Sequence, residues 1–134
     1  MPDSASDERL YRAAGTGSAD DVRRLLEAGA NPNARSGRGD GYTPLIEAAF
    51  RGRMDVVRLL IDKKADVNAR SRAGWTAIMS AAWEGHTEVV RLLLENHADP
   101  SPKNGRGETA LSLAESAGNK DVVALLRKTH AAPC

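Results

Sequence analysis

Four of the five aromatic side chains in this chain fall in two phases. Tyr42 and Trp75 stand 33 residues apart, and so do Phe50 and Trp83, while Tyr11 stands alone. Aromatic rings kept at a fixed step suit recognition rather than bond-making, since Trp and Tyr supply most of the binding energy of protein interfaces. Groups that could make or break bonds are scarcer. His86, His97 and His130 have no Ser, Cys or paired carboxylate at a recognisable motif spacing. The single cysteine, Cys134, lies at the very C-terminus, which excludes an internal disulfide framework and a multi-cysteine metal site. It reads as a tail thiol. Glycines at 37, 39 and 41 imitate a phosphate-binding loop, but no buried strand precedes them and that reading fails. Arg38-Gly39-Asp40 spells a tripeptide read by integrins, a three-residue match in a loop where glycine and charge are expected anyway. The chemistry that remains is binding, with no catalysis and no cofactor or metal expected.

Size and charge narrow the class further. At 134 residues one compact body is expected. A formal net charge of +1 gives no global attraction to nucleic acid or membrane. The segment Met1 to Glu8 is acidic and lacks the apolar run of a secretory signal. No stretch approaches the roughly 18 apolar residues that a membrane span needs. A cytoplasmic protein, with no membrane contact and no small-molecule substrate evident, is the expectation.

The elements that must carry these rings repeat as well. Gly41-Tyr42-Thr43-Pro44-Leu45 returns as Gly74-Trp75-Thr76-Ala77-Ile78 and again as Gly107-Glu108-Thr109-Ala110-Leu111, each time after 33 residues. Asp55-Val56-Val57 recurs in phase as Glu88-Val89-Val90 and Asp121-Val122-Val123. A period of this size signals stacked units, none of which can bury its apolar face alone. Within the second unit, Thr43 and Pro44 open a helix whose apolar stripe, Leu45, Ala48 and Ala49, is narrow, and Gly52 ends it. Asp55 to Ile61 forms a second helix with an acidic first turn and a bulky apolar side. Small residues against large ones let the two helices pack closely and antiparallel. Ala65 to Ala73 is the turn leading onward, and Asp99-Pro100-Ser101-Pro102 stiffens the corresponding loop of the third unit. The first unit is disguised: Leu25 to Asn31 matches Leu60 to Asp66 at an offset of 35, so its loop holds two extra residues. Asp7-Glu8-Arg9 and Arg24 make it a polar cap, as Arg127, Lys128 and His130 do at the other end. The expected boundaries are 7–40, 41–73, 74–106 and 107–131, with a flexible tail over 1–6 and another over 132–134. Four units exceed the minimum of about three for a stable stack, so the domain reads as complete.

Gly41 to Ala49, Gly85-His86, Glu88 to Leu94 and Ala65 to Ala69 resemble the ankyrin repeat, and the resemblance runs from about Asp7 to Ala131. It implies an all-α solenoid of four repeats, antiparallel helix pairs joined by β-turn fingers, with the terminal repeats acting as caps. Two departures stand out. The family's histidine in Thr-Pro-Leu-His is Ile46, Met79 and Ser112 here, so its bond to the neighbouring finger is lost and looser fingers are expected. Lys64 and Asn96-His97 interrupt the Gly-Ala step after the second helix. Asn33 and Asn68 hold the family's loop asparagine, expected to act as a turn-stabilising side chain.

The resemblance also places the binding surface. Partners of such repeats are held by the fingertips and the exposed side of the first helix, which together form a concave groove. Tyr42, Trp75, Phe50 and Trp83 occupy groove positions, with Arg51 and Glu84 beside two of them. Arg35, Arg38, Arg70, Arg72, Lys103 and Arg106 line the fingertips, with Asp40 the main opposing charge. An aromatic groove beside a basic edge implies a non-catalytic module that binds a partner protein with an acidic rim, as adaptor, scaffold or steric inhibitor. The alternative is nucleic acid or another acidic polymer along that edge. Such solenoids are commonly monomers, and an exposed aromatic groove could also close a homodimer.

Overall fold

The computed structural model describes residues 4–37 and 39–131. Arg38 and the tail 132–134 lie outside the described residues. Eight helices follow one another: α1 (Ser4–Thr16), α2 (Ala19–Glu27), α3 (Pro44–Arg51), α4 (Met54–Asp62), α5 (Ala77–Glu84), α6 (Thr87–Glu95), α7 (Ala110–Ala117) and α8 (Lys120–Ala131). No strand occurs among the described residues. Helix α1 takes in residues 4–6, three positions ahead of the boundary read from the sequence.

The helices form two layers. The odd-numbered helices pack in sequence in one layer and the even-numbered ones in the other, and each odd helix packs on the even helix that follows it. The core lies between the layers and is built as the residue sizes demand. One side supplies Ala14, Ala48, Ala49, Ala81, Ala82 and Ala114, and the other supplies Val22, Val57, Leu60, Val90, Leu93 and Leu126, all of them buried. Alanine lets the layers approach, and the bulky partners fill the space left.

Local signals start and stop each helix. The hydroxyls of Thr43, Thr76 and Thr109 accept from the backbone N–H of Ile46, Met79 and Ser112, at 3.2, 3.3 and 3.1 Å. Each such cap contributes about 1 kcal/mol. Gly52 and Gly85 close α3 and α5 at φ of 72° and 78°, in the left-handed region. Glycine is required there twice over, because a Cβ on Gly52 would lie 2.6 Å from the His86 ring.

The fingers between helix pairs are hairpin-like turns. Ser36, Ser71 and Asn104 donate their N–H to the carbonyls of Tyr42, Trp75 and Glu108 at 2.8, 2.8 and 2.9 Å. The first spans six residues and the others four, which locates the two extra residues. Despite the missing histidine, adjacent fingers are tied together. Arg72 N–H donates to the Asp40 carbonyl at 3.0 Å and Gly105 N–H to that of Ala73 at 2.8 Å. Arg35 Nη1 reaches the Arg70 carbonyl at 2.7 Å, and Arg70 Nη2 reaches that of Lys103. Guanidinium groups thus supply finger-to-finger bonds where the family's imidazole is missing.

Candidate partner-binding groove

Tyr42 and Trp75 sit at the bases of two successive fingers, and Phe50 and Trp83 sit in the last turns of α3 and α5. All four converge on one notch of about 260 Å³, whose remaining wall is Ile46, Glu47 and Ser80. A second cavity of about 560 Å³ adjoins it. The two share Tyr42, Trp75 and Trp83, and the second opens toward Asn104, Arg106 and Glu108. Together they make a groove across the second, third and fourth repeats.

The rings divide by burial. Phe50 and Trp83 are each 41% exposed, and they are the large apolar side chains so exposed among the described residues. Tyr42 and Trp75 are half-buried and packed against the core, a contact that the sequence alone did not indicate. The cause is the finger itself. The backbone N–H of Trp75 donates to Ser71 Oγ at 3.1 Å and that of Tyr42 to Asp40 Oδ1 at 3.1 Å, which fixes the main chain from which both rings turn back onto the helices. Asp40 also accepts from Ser36 Oγ at 2.7 Å, which makes it a bracket for the finger that carries Tyr42.

The aromatic strip has two ends. In the first repeat the position equivalent to Phe50 is Gly15, where a Cβ would stand 3.0 Å from Glu47 Oε2. In the fourth it is Ser116, exposed and small. Glu47 closes the first end: it accepts from Tyr11 Oη at 3.2 Å and pairs with Arg51 Nε at 3.0 Å. The Arg51 guanidinium stands 6.0 Å from the Phe50 ring centre, within cation–π range. Glu84 is exposed at the end of α5 and lines neither cavity.

The finger cations are not equivalent. Arg35 and Arg70 bridge fingers as described, whereas the side chains of Arg72, Lys103 and Arg106 are exposed and bond to no described residue. Only the latter three, of those described, leave a free charge at the edge of the groove.

Sequence reasoning missed the groups that hold the groove in register. Position 53 and its equivalents at 86 and 119 reach back to the preceding repeat. Arg53 Nη1 donates to the carbonyls of Ala13 and Ala14 at 2.8 and 3.1 Å, and its Nη2 to that of Gly17. His86 Nε2 lies 3.0 Å from the Phe50 carbonyl oxygen. Asn119 Nδ2 donates to the carbonyls of Ala82 and Trp83 at 2.8 and 2.9 Å. Helix C-termini leave carbonyls without intrahelical partners, and each clasp satisfies them from the next repeat. Two of those carbonyls belong to the exposed aromatics. The signal was present as three N–H donors at one phase of the repeat, although the residue type changes each time. The loops on the other side carry a second tie: Asp66 and Asp99 N–H donate to Asn33 and Asn68 Oδ1 at 2.6 and 2.7 Å.

Among the described residues no group of three or more His, Cys, Asp and Glu could hold a metal ion, and no helix is long and apolar enough to cross a membrane.

Comparison with known proteins agrees with this geometry. A family described as ankyrin repeats in three copies matches residues 10–104. The chain is 45% identical over 71 residues to the probable E3 ubiquitin-protein ligase XBOS33 of Oryza sativa subsp. japonica, across 53% of this chain and 14% of that one. It is 32% identical over 71 residues to ankyrin repeat-containing protein P1E11.10 of Schizosaccharomyces pombe, across 53% and 33% of the two chains. It is 40% identical over 68 residues to the 2-5A-dependent ribonuclease of Mus musculus, across 51% and 9%. The match therefore spans a third or less of each relative, and the ligase and ribonuclease named there are far longer than the shared segment. What is shared is the repeat: the chain belongs to the ankyrin-repeat family.

Proposed function

We propose that this chain is a non-catalytic binding module that holds one partner protein in the groove, with Phe50 and Trp83 as anchors. Ankyrin repeats generally mediate protein–protein interaction, which sets the class. The observation that carries the finer reading is the pair of rings left 41% exposed at the mouth of one notch, over walls fixed by the core. Large rings kept in water at equivalent positions of adjacent repeats contribute little to folding, and in an interface they become its main energy source. Tyr42 and Trp75 form the wall behind them. Binding of this kind acts sterically, by masking, recruiting or inhibiting the partner.

The test is capture from a lysate of the source cells on wild type beside a Phe50→Ala/Trp83→Ala double variant. Trp75 is left intact because it supports the core. A protein retained by wild type and released by a cooperatively melting variant supports the reading, and each truncation should weaken binding by about 1–2 kcal/mol. Identical captures on both would move the site away from the groove.

A further inference from the structure

We infer that the occupant of the groove is an acidic linear segment of the partner, carrying one bulky apolar side chain. This rests on the groove being the docking site and names the chemistry that enters it.

The first notch asks for an apolar group. Its polar walls are already satisfied: Ser80 Oγ donates to the Thr76 carbonyl at 3.3 Å, and the Glu47 carboxylate accepts from Tyr11 and Arg51. What is left of its lining is Ile46 and the four rings. A polar group seated there would lose its water and find only the ring-edge groups of Tyr42, Trp75 and Trp83 as partners, which is costly. A bulky aliphatic or aromatic side chain would lose nothing.

The adjoining cavity asks for the opposite. Its amide acceptor is engaged within the protein, since Asn104 Oδ1 accepts from the N–H of Arg106 and Glu108 at 2.9 and 3.0 Å. Glu108 Oε1 in turn accepts from Asn104 Nδ2 at 3.0 Å, and this carboxylate is outnumbered by the cations of Arg72, Lys103 and Arg106 around it. Its donors are open: the indole N–H groups of Trp75 and Trp83 and the guanidinium of Arg106 bond to no described residue. Indole and guanidinium donate and never accept. Arg72 and Lys103 extend the same unpaired positive charge along the fingers. The occupant must therefore bring acceptors, as main-chain carbonyls and as carboxylates. A linear segment meets both demands at once, placing a side chain in the first notch and its main chain along the second. The convex face of a folded domain would meet only the rims. The acidic residues belong on the finger side, away from Glu84.

The probe is a library of random 12-residue displayed peptides, selected on the full chain. A synthetic peptide carrying the enriched motif is then titrated by tryptophan fluorescence, for which both indoles line the groove. It is titrated against Phe50→Ala/Trp83→Ala and against Arg72→Glu/Lys103→Glu/Arg106→Glu, each variant first shown to melt cooperatively. The expected motif is one bulky apolar residue flanked by Asp or Glu, weakened about tenfold or more by either variant, a tenfold loss being one decade of Kd. A motif without acids, an acidic motif indifferent to charge reversal, or no motif at all overturns the acidic segment and leaves the groove standing. Peptides that bind the double alanine variant as tightly as wild type overturn the groove as well. A 12-nucleotide single strand that binds wild type and the alanine variant alike, but not the charge-reversed one, would assign the edge to nucleic acid instead.

Discussion

At the scale of single residues, the two lysine and histidine departures have a measurable consequence. Lys64 and His97 adopt φ of 74° and 71°, where the first repeat has Gly29 at 101°. A side chain in that region crowds the following carbonyl by about 1–2 kcal/mol, part of which glycine's greater unfolded entropy offsets. Replacing Lys64 or His97 by Gly keeps the backbone carbonyl that Asn33 or Asn68 reaches, at 3.3 and 3.5 Å. Each replacement should raise stability in urea unfolding by about 0.5–1 kcal/mol. Lower stability would mean that the side chains contribute contacts exceeding the strain. The tryptophans should part company in the same assay. Trp75→Ala opens a gap against the core and should cost about 2 kcal/mol or more. Trp83→Ala removes an exposed ring and should cost well under 1 kcal/mol. The sequence shows both rings in groove phase and cannot separate them. The separation comes from Ser71 and its counterpart Asp40, whose bonds to the finger backbone exist only once the finger is folded. Arg70 teaches the same lesson: an arginine in a loop looks free until the next finger brings a carbonyl to it.

The elements were legible because their determinants are local and repeated. A threonine cap, a small apolar stripe, a glycine stop and a bulky second stripe recur every 33 residues, and the structure places α3 through α7 on them. What ties one element to the next was not legible, since position 53 and its equivalents hold Arg, His and Asn in turn. Their common property is a donor long enough to reach the preceding helix end. Arg53 spans three carbonyls at the end of α1, and it is a charged donor, so its loss should be the largest of the three. We expect Arg53→Ala to cost about 2–3 kcal/mol and to speed amide exchange in α1 and α2 ahead of the rest. Asn119→Ala should cost about 1–2 kcal/mol and act at the end of α5. Uniform loss of protection in both variants would count against a local clasp. Asn119→Ala should also loosen the Trp83 ring, through the carbonyl that the amide holds.

At the scale of the whole molecule, each repeat touches only its neighbours, and stability is the sum of unit and interface contributions. The principal helix contacts follow that rule, running from each member of a layer to the next. The position of a defect should then matter more than its size. Leu126 and Leu93 are the same residue type, both fully buried, one in the terminal repeat and one beneath the groove. Truncating either to Ala should cost about 2–5 kcal/mol in the unit that contains it. Leu126→Ala loosens the end of the stack, and the third repeat, which holds both tryptophans, can remain folded on the two before it. Leu93→Ala breaks the stack in the middle, leaving fragments with too few units to stand alone. Urea unfolding followed by two probes distinguishes the cases. For Leu93→Ala, tryptophan fluorescence and far-ultraviolet dichroism should shift together to lower urea. For Leu126→Ala, the dichroism midpoint should fall while the fluorescence midpoint moves less, because Trp75 and Trp83 belong to the third repeat and not to the one that loosens. Coincident shifts in both variants would show a stack that folds as one unit, and the groove would then depend on the terminal repeat as fully as on its own residues.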